Sequence, residues 1–305
     1  MGQIDFEFKR ERKLGEFVQD FINLLKVINR HLVSVLFRLL LIPICIVVLI
    51  GYYLTTQMRF NASFTNVDYF NIGASFVSLG LLILLISMFA FGFTIEYFIL
   101  LRNRKKIDFS STDVWQQFRW NISYYLRFFL VMLVVAVLIA IPLIIAVLLA
   151  AFIPIVGSFA TGIIFSMVGL WFFAAFMLYR EGYYDLIDCF GGAFTLLRTK
   201  IFEYGIASYI VSFIFQALLS IITIIPFVIL FILSYNAIGF GNDFFESAWG
   251  RGIATFGSLV IVLLFIIYYM LAVISYGIIY ETAKELKFGE DVFERIEKLG
   301  GGKDV

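Results

Sequence analysis

Five polar residues, Ser208, Ser212, Gln216, Ser220 and Thr223, recur at four-residue and then three-residue steps inside an otherwise apolar run from Gly205 to Leu233. At those steps they share one face of a helix. A face carrying hydroxyls and an amide cannot be left against hydrocarbon, where an unpaired polar group is costly. Two chemistries fit the stripe. It can hydrogen-bond to a neighbouring helix, at about 0.6 kcal/mol per bond on measured averages. Alternatively it can wall a polar groove for an amphiphilic molecule, with Gln216 near mid-membrane.

Charged candidates are sparse. Tyrosines and Cys45 aside, Arg38 and Glu96 are the only ionisable side chains within six long apolar runs. Both fall near the same membrane surface, so they suit an ion pair, or an Arg38 contact to lipid headgroups by snorkelling. Proton- or sodium-coupled transport generally places acids, histidines or lysines at membrane depth, and here the supply is thin. His31 is the single histidine and stands beside Arg30 at the mouth of the first run. A histidine metal site or a Ser/His dyad inside the membrane therefore has no histidine to use. Glu181, Asp185 and Asp188 form an acidic loop cluster that reads as a solvated helix face rather than a divalent-ion site. Cys45 and Cys189 lie in different environments and read as unpaired thiols. No catalytic, cofactor-binding or metal-ligating residue is expected.

The elements that must position these residues are the runs Leu32 to Leu54, Ala74 to Leu101, Phe128 to Ala150, Val156 to Tyr179, Gly205 to Leu233 and Ile253 to Tyr280. Each exceeds the roughly 20 residues that cross about 30 Å of hydrocarbon as a helix. The chain is 62% hydrophobic and 15% charged, against about 25% charged in soluble domains. Continuous apolar runs exclude a barrel, whose strands alternate over about 10 residues. The expected fold class is all-α integral membrane, with six transmembrane helices. Of 23 Lys and Arg residues, all but Arg38, Arg59 and Arg251 fall on one side of this pattern. By the positive-inside rule that side, which holds both termini, is cytoplasmic. The charged stretch before the first run and the lack of a small-residue cleavage site make it a retained span rather than a signal peptide.

Each pair of spans follows a stretch with amphipathic helical periodicity. Leu14, Phe17, Val18, Phe21, Leu24, Leu25 and Ile28 form the first apolar face, suited to the membrane surface or to the bundle. Val114, Trp115, Phe118 and Ile122 form the second, with Ser111, Thr112 and Asp113 as N-cap candidates. Leu186, Ile187, Phe190, Phe194 and Leu197 form the third, where Gly191 and Gly192 could bend the helix. The pattern predicts three parallel repeats of surface helix plus transmembrane hairpin, built into a single membrane domain over 1–305. Residues 1–31 are its cytoplasmic N-terminal segment, 32–280 the six-span bundle and 281–305 a cytoplasmic tail. In the tail, Asp291 could cap a short amphipathic helix ended by Gly300. Pro43, Pro142 and Pro226 could kink their spans, Ser158, Gly162 and Ser166 make a small-residue face, and the outer loops Thr55 to Gly73 and Ser234 to Gly252 read chiefly as connectors.

Tyr276, Tyr280, Glu281, Lys284, Glu285, Gly289 and the stretch from Phe293 to Gly300, together with the opening Phe8 to Gly15 leading into an Asp20-containing helix, carry a resemblance. They resemble an uncharacterised bacterial six-span membrane protein family, distantly similar to the membrane domain that accompanies some glycerophosphodiester phosphodiesterases. The soluble catalytic domain of those enzymes has no counterpart here, so the resemblance implies no such activity and transfers no site residue. It implies a bacterial inner (cytoplasmic) membrane and accessory subunits whose partners include other multi-span membrane proteins and a cytoplasmic AAA-type ATPase. Membrane lipids are the remaining expected partner, and nucleic acid is not one. The leading expectation is a non-enzymatic scaffold or subunit of a larger membrane assembly that uses its amphipathic helices as contact surfaces. The alternative is a transporter or lipid-handling protein holding an amphiphilic substrate in a groove lined by the fifth span.

Overall fold

A computed structural model describes residues 4–57, 69–153, 156–238 and 248–289. Among them the chain forms seven helices and no strand: α1 (Leu14–Gln57), α2 (Tyr69–Arg104), α3 (Ser111–Ala151), α4 (Val156–Arg180), α5 (Asp188–Leu197), α6 (Ile201–Ile238) and α7 (Ala248–Phe288). All except α5 are long and apolar enough to cross a membrane. The chain is an all-α, multi-pass membrane protein. The tail helix expected after Asp291, the centres of both longer outer loops and Arg59 lie outside the described residues.

The three amphipathic stretches are not built alike. The first two are continuous with their spans. The 44 residues of α1 reach about 66 Å at 1.5 Å per residue. The 41 residues of α3 reach about 62 Å, and both exceed the roughly 40–45 Å of a whole bilayer. No glycine or proline separates stretch from span in either case, so nothing ends the helix there. The third stretch is α5, detached from α6 by a turn in which Lys200 N donates to Leu197 O at 3.1 Å. Gly191 and Gly192 lie inside α5 without ending it, and Tyr184 packs over Gly192. Likewise α1 runs on through Pro43 and α3 through Pro142.

Ser110, not one of residues 111–113, caps α3. Its amide donates to Asp113 Oδ2 at 2.7 Å, and Asp113 N donates to Ser110 Oγ at 3.4 Å. This reciprocal box needs an acid three residues after the cap, and only Ser110 has one at that spacing, Asp113.

By contacts the chain divides into two compact units. The larger takes the described parts of 1–33, 92–213 and 271–305. Its core is aromatic: Phe118 meets Phe93 edge-on at 4.8 Å, and Tyr125 lies 4.7 Å from Phe176. Backbone glycines let rings approach, Tyr209 over Gly162 and Phe98 over Gly277. The apolar faces of the amphipathic stretches are partly spent here, with Trp115, Ile122, Ile187 and Phe194 left exposed. Phe17, Phe21, Leu24, Ile28, Val114, Phe118, Phe190 and Leu197 are buried. An irregular N-terminal segment is sewn to the same unit, with Ile4 N donating to Lys105 O at 2.9 Å and Phe8 edge-on to Phe98 at 5.8 Å.

The smaller unit takes the described parts of 34–91 and 214–270. It contains stretches of α1, α2, α6 and α7 with many exposed apolar side chains, including Leu41, Ile42, Leu49, Leu81, Leu218 and Phe265. In lipid such faces are solvated rather than stranded.

Candidate functional site

The polar stripe of α6 divides between the units. Ser208 and Ser212 are buried in the larger one, and Ser208 Oγ has no hydrogen-bond partner among the described residues. In the smaller unit Gln216, Ser220 and Thr223 line a groove of about 330 Å³. From α6 the walls are Gln216, Leu219, Ser220, Thr223 and Ile224; from α7 they are Ile261, Leu264, Phe265 and Tyr268. Both sets recur at three- and four-residue steps, so each helix presents one stripe to the groove. Thr223 Oγ1 donates back to Leu219 O at 2.7 Å and needs no other partner. Gln216 and Ser220 are exposed, and neither makes a side-chain hydrogen bond among the described residues.

Glu96 is fully buried on α2. Tyr125 Oη donates to its Oε1 at 2.9 Å, Asn121 Nδ2 donates at 3.3 Å, and the cation beside it is Arg180 at 3.6 Å. The sequence allowed Arg38 either an ion pair with Glu96 or a contact to lipid headgroups. Arg180 takes the Glu96 pairing because it ends α4, directly beside the α2 and α3 turns that carry Glu96 and Asn121. Arg38 is exposed on α1 in the smaller unit.

A second ionic cluster, missed by the sequence reading, ties the ends of α2, α4 and α7 together. Arg102 Nη1 donates to Glu181 Oε1 at 2.6 Å and to Glu281 Oε1. Tyr280 Oη and Lys284 Nζ both donate to Glu181 Oε2, at 2.8 and 3.0 Å. Burial would raise the Glu181 carboxyl, but the charges of Arg102 and Lys284 overcome it and hold the group below the ordinary carboxylate range. Glu181 therefore leaves the solvated cluster expected of it with Asp185 and Asp188. Spacing offered one clue to Glu281. It continues the buried stripe Ile274 and Ile278 at helical steps, so a buried acid at 281 required a cation on a neighbouring helix.

Arg12 forms a third contact, buried and bonded to Asp20 Oδ2 at 2.8 Å, to the carbonyls of Glu7, Phe8 and Arg10, and to Thr282 Oγ1 at 3.3 Å. His31 is structural. Its Nε2 lies 2.9 Å from Phe109 O and must carry the proton, leaving Nδ1 to accept from Tyr97 Oη at 3.0 Å. Cys45 and Cys189 are both free thiols, and burial pushes Cys189 up to about 12. That value makes it inert at neutral pH.

These ionic groups neutralise one another. Arg102, Lys284 and Arg180 stand against Glu181, Glu281 and Glu96, and no group of three or more His, Cys, Asp or Glu residues suited to a metal occurs among the described residues. Such an arrangement braces helix ends and offers little to a substrate. The groove differs in holding neutral polar side chains, Gln216 and Ser220, that make no side-chain hydrogen bond among the described residues.

Comparison with family models, with curated protein sequences and with solved structures found no match to this chain. A functional reading rests on the chain's own geometry.

Proposed function

We propose that this chain is a non-enzymatic, lipid-handling protein of a bacterial cytoplasmic membrane, with both termini on the basic side, and that it holds an amphiphile in the α6–α7 groove. The carrying observation is the Gln216 amide and Ser220 hydroxyl, without a side-chain hydrogen bond among the described residues, on a largely apolar groove wall within an apolar helix pair. An amide transferred to hydrocarbon without a hydrogen bond costs about 4–8 kcal/mol. A molecule with a hydroxyl, ester or amide at that depth removes the penalty, and its chain can lie along Ile224, Ile261, Leu264 and Phe265. The volume falls within the roughly 300–1,000 Å³ of small-molecule sites. A scaffold role exercised through the amphipathic helices would rest on the apolar side chains their packing leaves exposed, Trp115, Ile122, Ile187 and Phe194.

The test is to extract the full chain in mild detergent, wash it, and identify retained amphiphiles by mass spectrometry of the solvent extract. Leu264→Trp, which fills the groove, should lose the retained species while wild type keeps it. Equal recovery of that species from both proteins would rule the groove out as its seat.

A further inference from the structure

Independently of the groove, one exposed face of α3 in the larger unit has the composition of a lipid-headgroup site. Arg119, Trp120, Ser123, Tyr124 and Arg127 are all exposed. Their spacing places them within about 140° of arc at 100° per residue. The face continues without a break into Leu130, Val134, Leu138, Ile141 and Ile145, also exposed. One helix thus presents a cationic and aromatic patch directly above an apolar track, matching a phosphate above acyl chains. We infer that this face binds an anionic phospholipid of the leaflet on the basic side.

Three observations carry the assignment. First, charge is unopposed there: from Val114 to Ala151 α3 holds Arg119 and Arg127 and no acidic residue. Neither arginine has an ion-pair partner among the described residues, whereas Arg102, Arg104 and Arg180 each have one. Second, Arg180 reaches the patch from α4. Its guanidinium carbon lies 5.7 Å from the Tyr124 ring centroid, and its buried Nε has no hydrogen-bond partner among the described residues. Third, depth is right. Arg127 immediately precedes the apolar run, and helical side chains lean toward the N-terminus, which carries its guanidinium to the level of Ser123 and Tyr124. Trp120, 68% exposed, is an interface-seeking residue about one helical turn further along the axis than Ser123 and Tyr124. Arg119 stands about 12 Å further along the axis and adds a second charge facing the headgroup layer.

The experiment uses the full chain in neutral detergent, titrated with phosphatidylglycerol or phosphatidylcholine and read by native mass spectrometry as the fraction retaining lipid. Phosphatidylglycerol should be retained and phosphatidylcholine not. Each basic residue near an anionic surface contributes about a fivefold factor, so R119Q/R127Q should bind phosphatidylglycerol about twenty-five-fold more weakly. The control K13Q/K106Q removes the same charge from exposed positions off this face and should bind as wild type. Equal weakening of the two double variants would overturn the proposal in favour of diffuse surface charge, and equal retention of both lipids would overturn it outright. Wild-type levels in R119Q/R127Q would do the same.

Discussion

In the larger unit, Glu96, Arg102, Arg180, Glu181, Glu281 and Lys284 are buried or largely so, and each has a partner of opposite charge on another segment. In the smaller unit the side chains lining the groove are neutral, and neither Gln216 nor Ser220 makes a side-chain hydrogen bond among the described residues. The contrast separates two uses of polarity below the membrane surface. Ions that satisfy one another make a brace and fix how helix ends meet. Neutral groups between two helices that hydrogen-bond to no described residue make no such brace, and on the reading proposed above they meet an outside molecule. Residue type alone would have sent the functional search to the ions, and pairing sends it to the amide.

The sharpest way to break this contrast is to unpair the brace. Arg102→Met removes the cation that donates to both Glu181 and Glu281, leaving Glu281, already holding one carboxylate oxygen without a partner among the described residues, without its donor. Breaking a buried pair from one side costs about 3–5 kcal/mol. The variant should therefore melt well below wild type or aggregate in detergent, followed by size-exclusion fluorescence after heating. A melt unchanged from wild type would mean that the cluster is not a brace. Combining Arg102→Met with Glu281→Leu, which removes both sides of the contact, should recover part of the loss.

Acid is a gentler probe of the same cluster. The folded protein holds Glu181 below its ordinary value of 4.5, so folding favours the ionised form. Its contribution to stability is complete above that ordinary value and is lost as pH falls through the lower value in the folded state. Glu181→Gln should be less stable than wild type at neutral pH, and the gap in unfolding temperature should close on acidification as wild-type Glu181 takes up a proton. A gap that widens with acid would contradict the assigned pairing.

What the sequence disclosed follows from the same physics. The spans were legible because apolar runs of that length have one structural solution in lipid. The amphipathic stretches were legible by periodicity, but their continuity with α1 and α3 depended on the absence of a breaker between Lys26 and Ser34 or between Arg119 and Phe128. The ionic clusters were largely hidden. Arg102, Arg180, Glu181 and Glu281 stand just beyond the apolar runs, where charges are ordinarily solvated, and only the convergence of three helix ends buries them. The stripe from Ser208 to Thr223 was fully visible as a stripe. Its division could not be read, since no spacing along α6 tells which turns another helix covers.

That division supplies the finest test, because its two ends should respond differently to losing a polar group. Ser208 is buried with an unpartnered hydroxyl, so Ser208→Ala removes a desolvation penalty along with the group. It should leave stability unchanged or raise it by up to about 1 kcal/mol. Gln216 faces the groove and holds nothing together, so Gln216→Leu should shift stability by less than about 0.5 kcal/mol while reducing the amphiphile retained on purification. Paired melts and lipid extracts of the two variants separate the possibilities. If Ser208→Ala destabilises while Gln216→Leu leaves lipid retention untouched, the stripe is one continuous packing seam, and the distinction between braced and vacant polarity does not hold along α6.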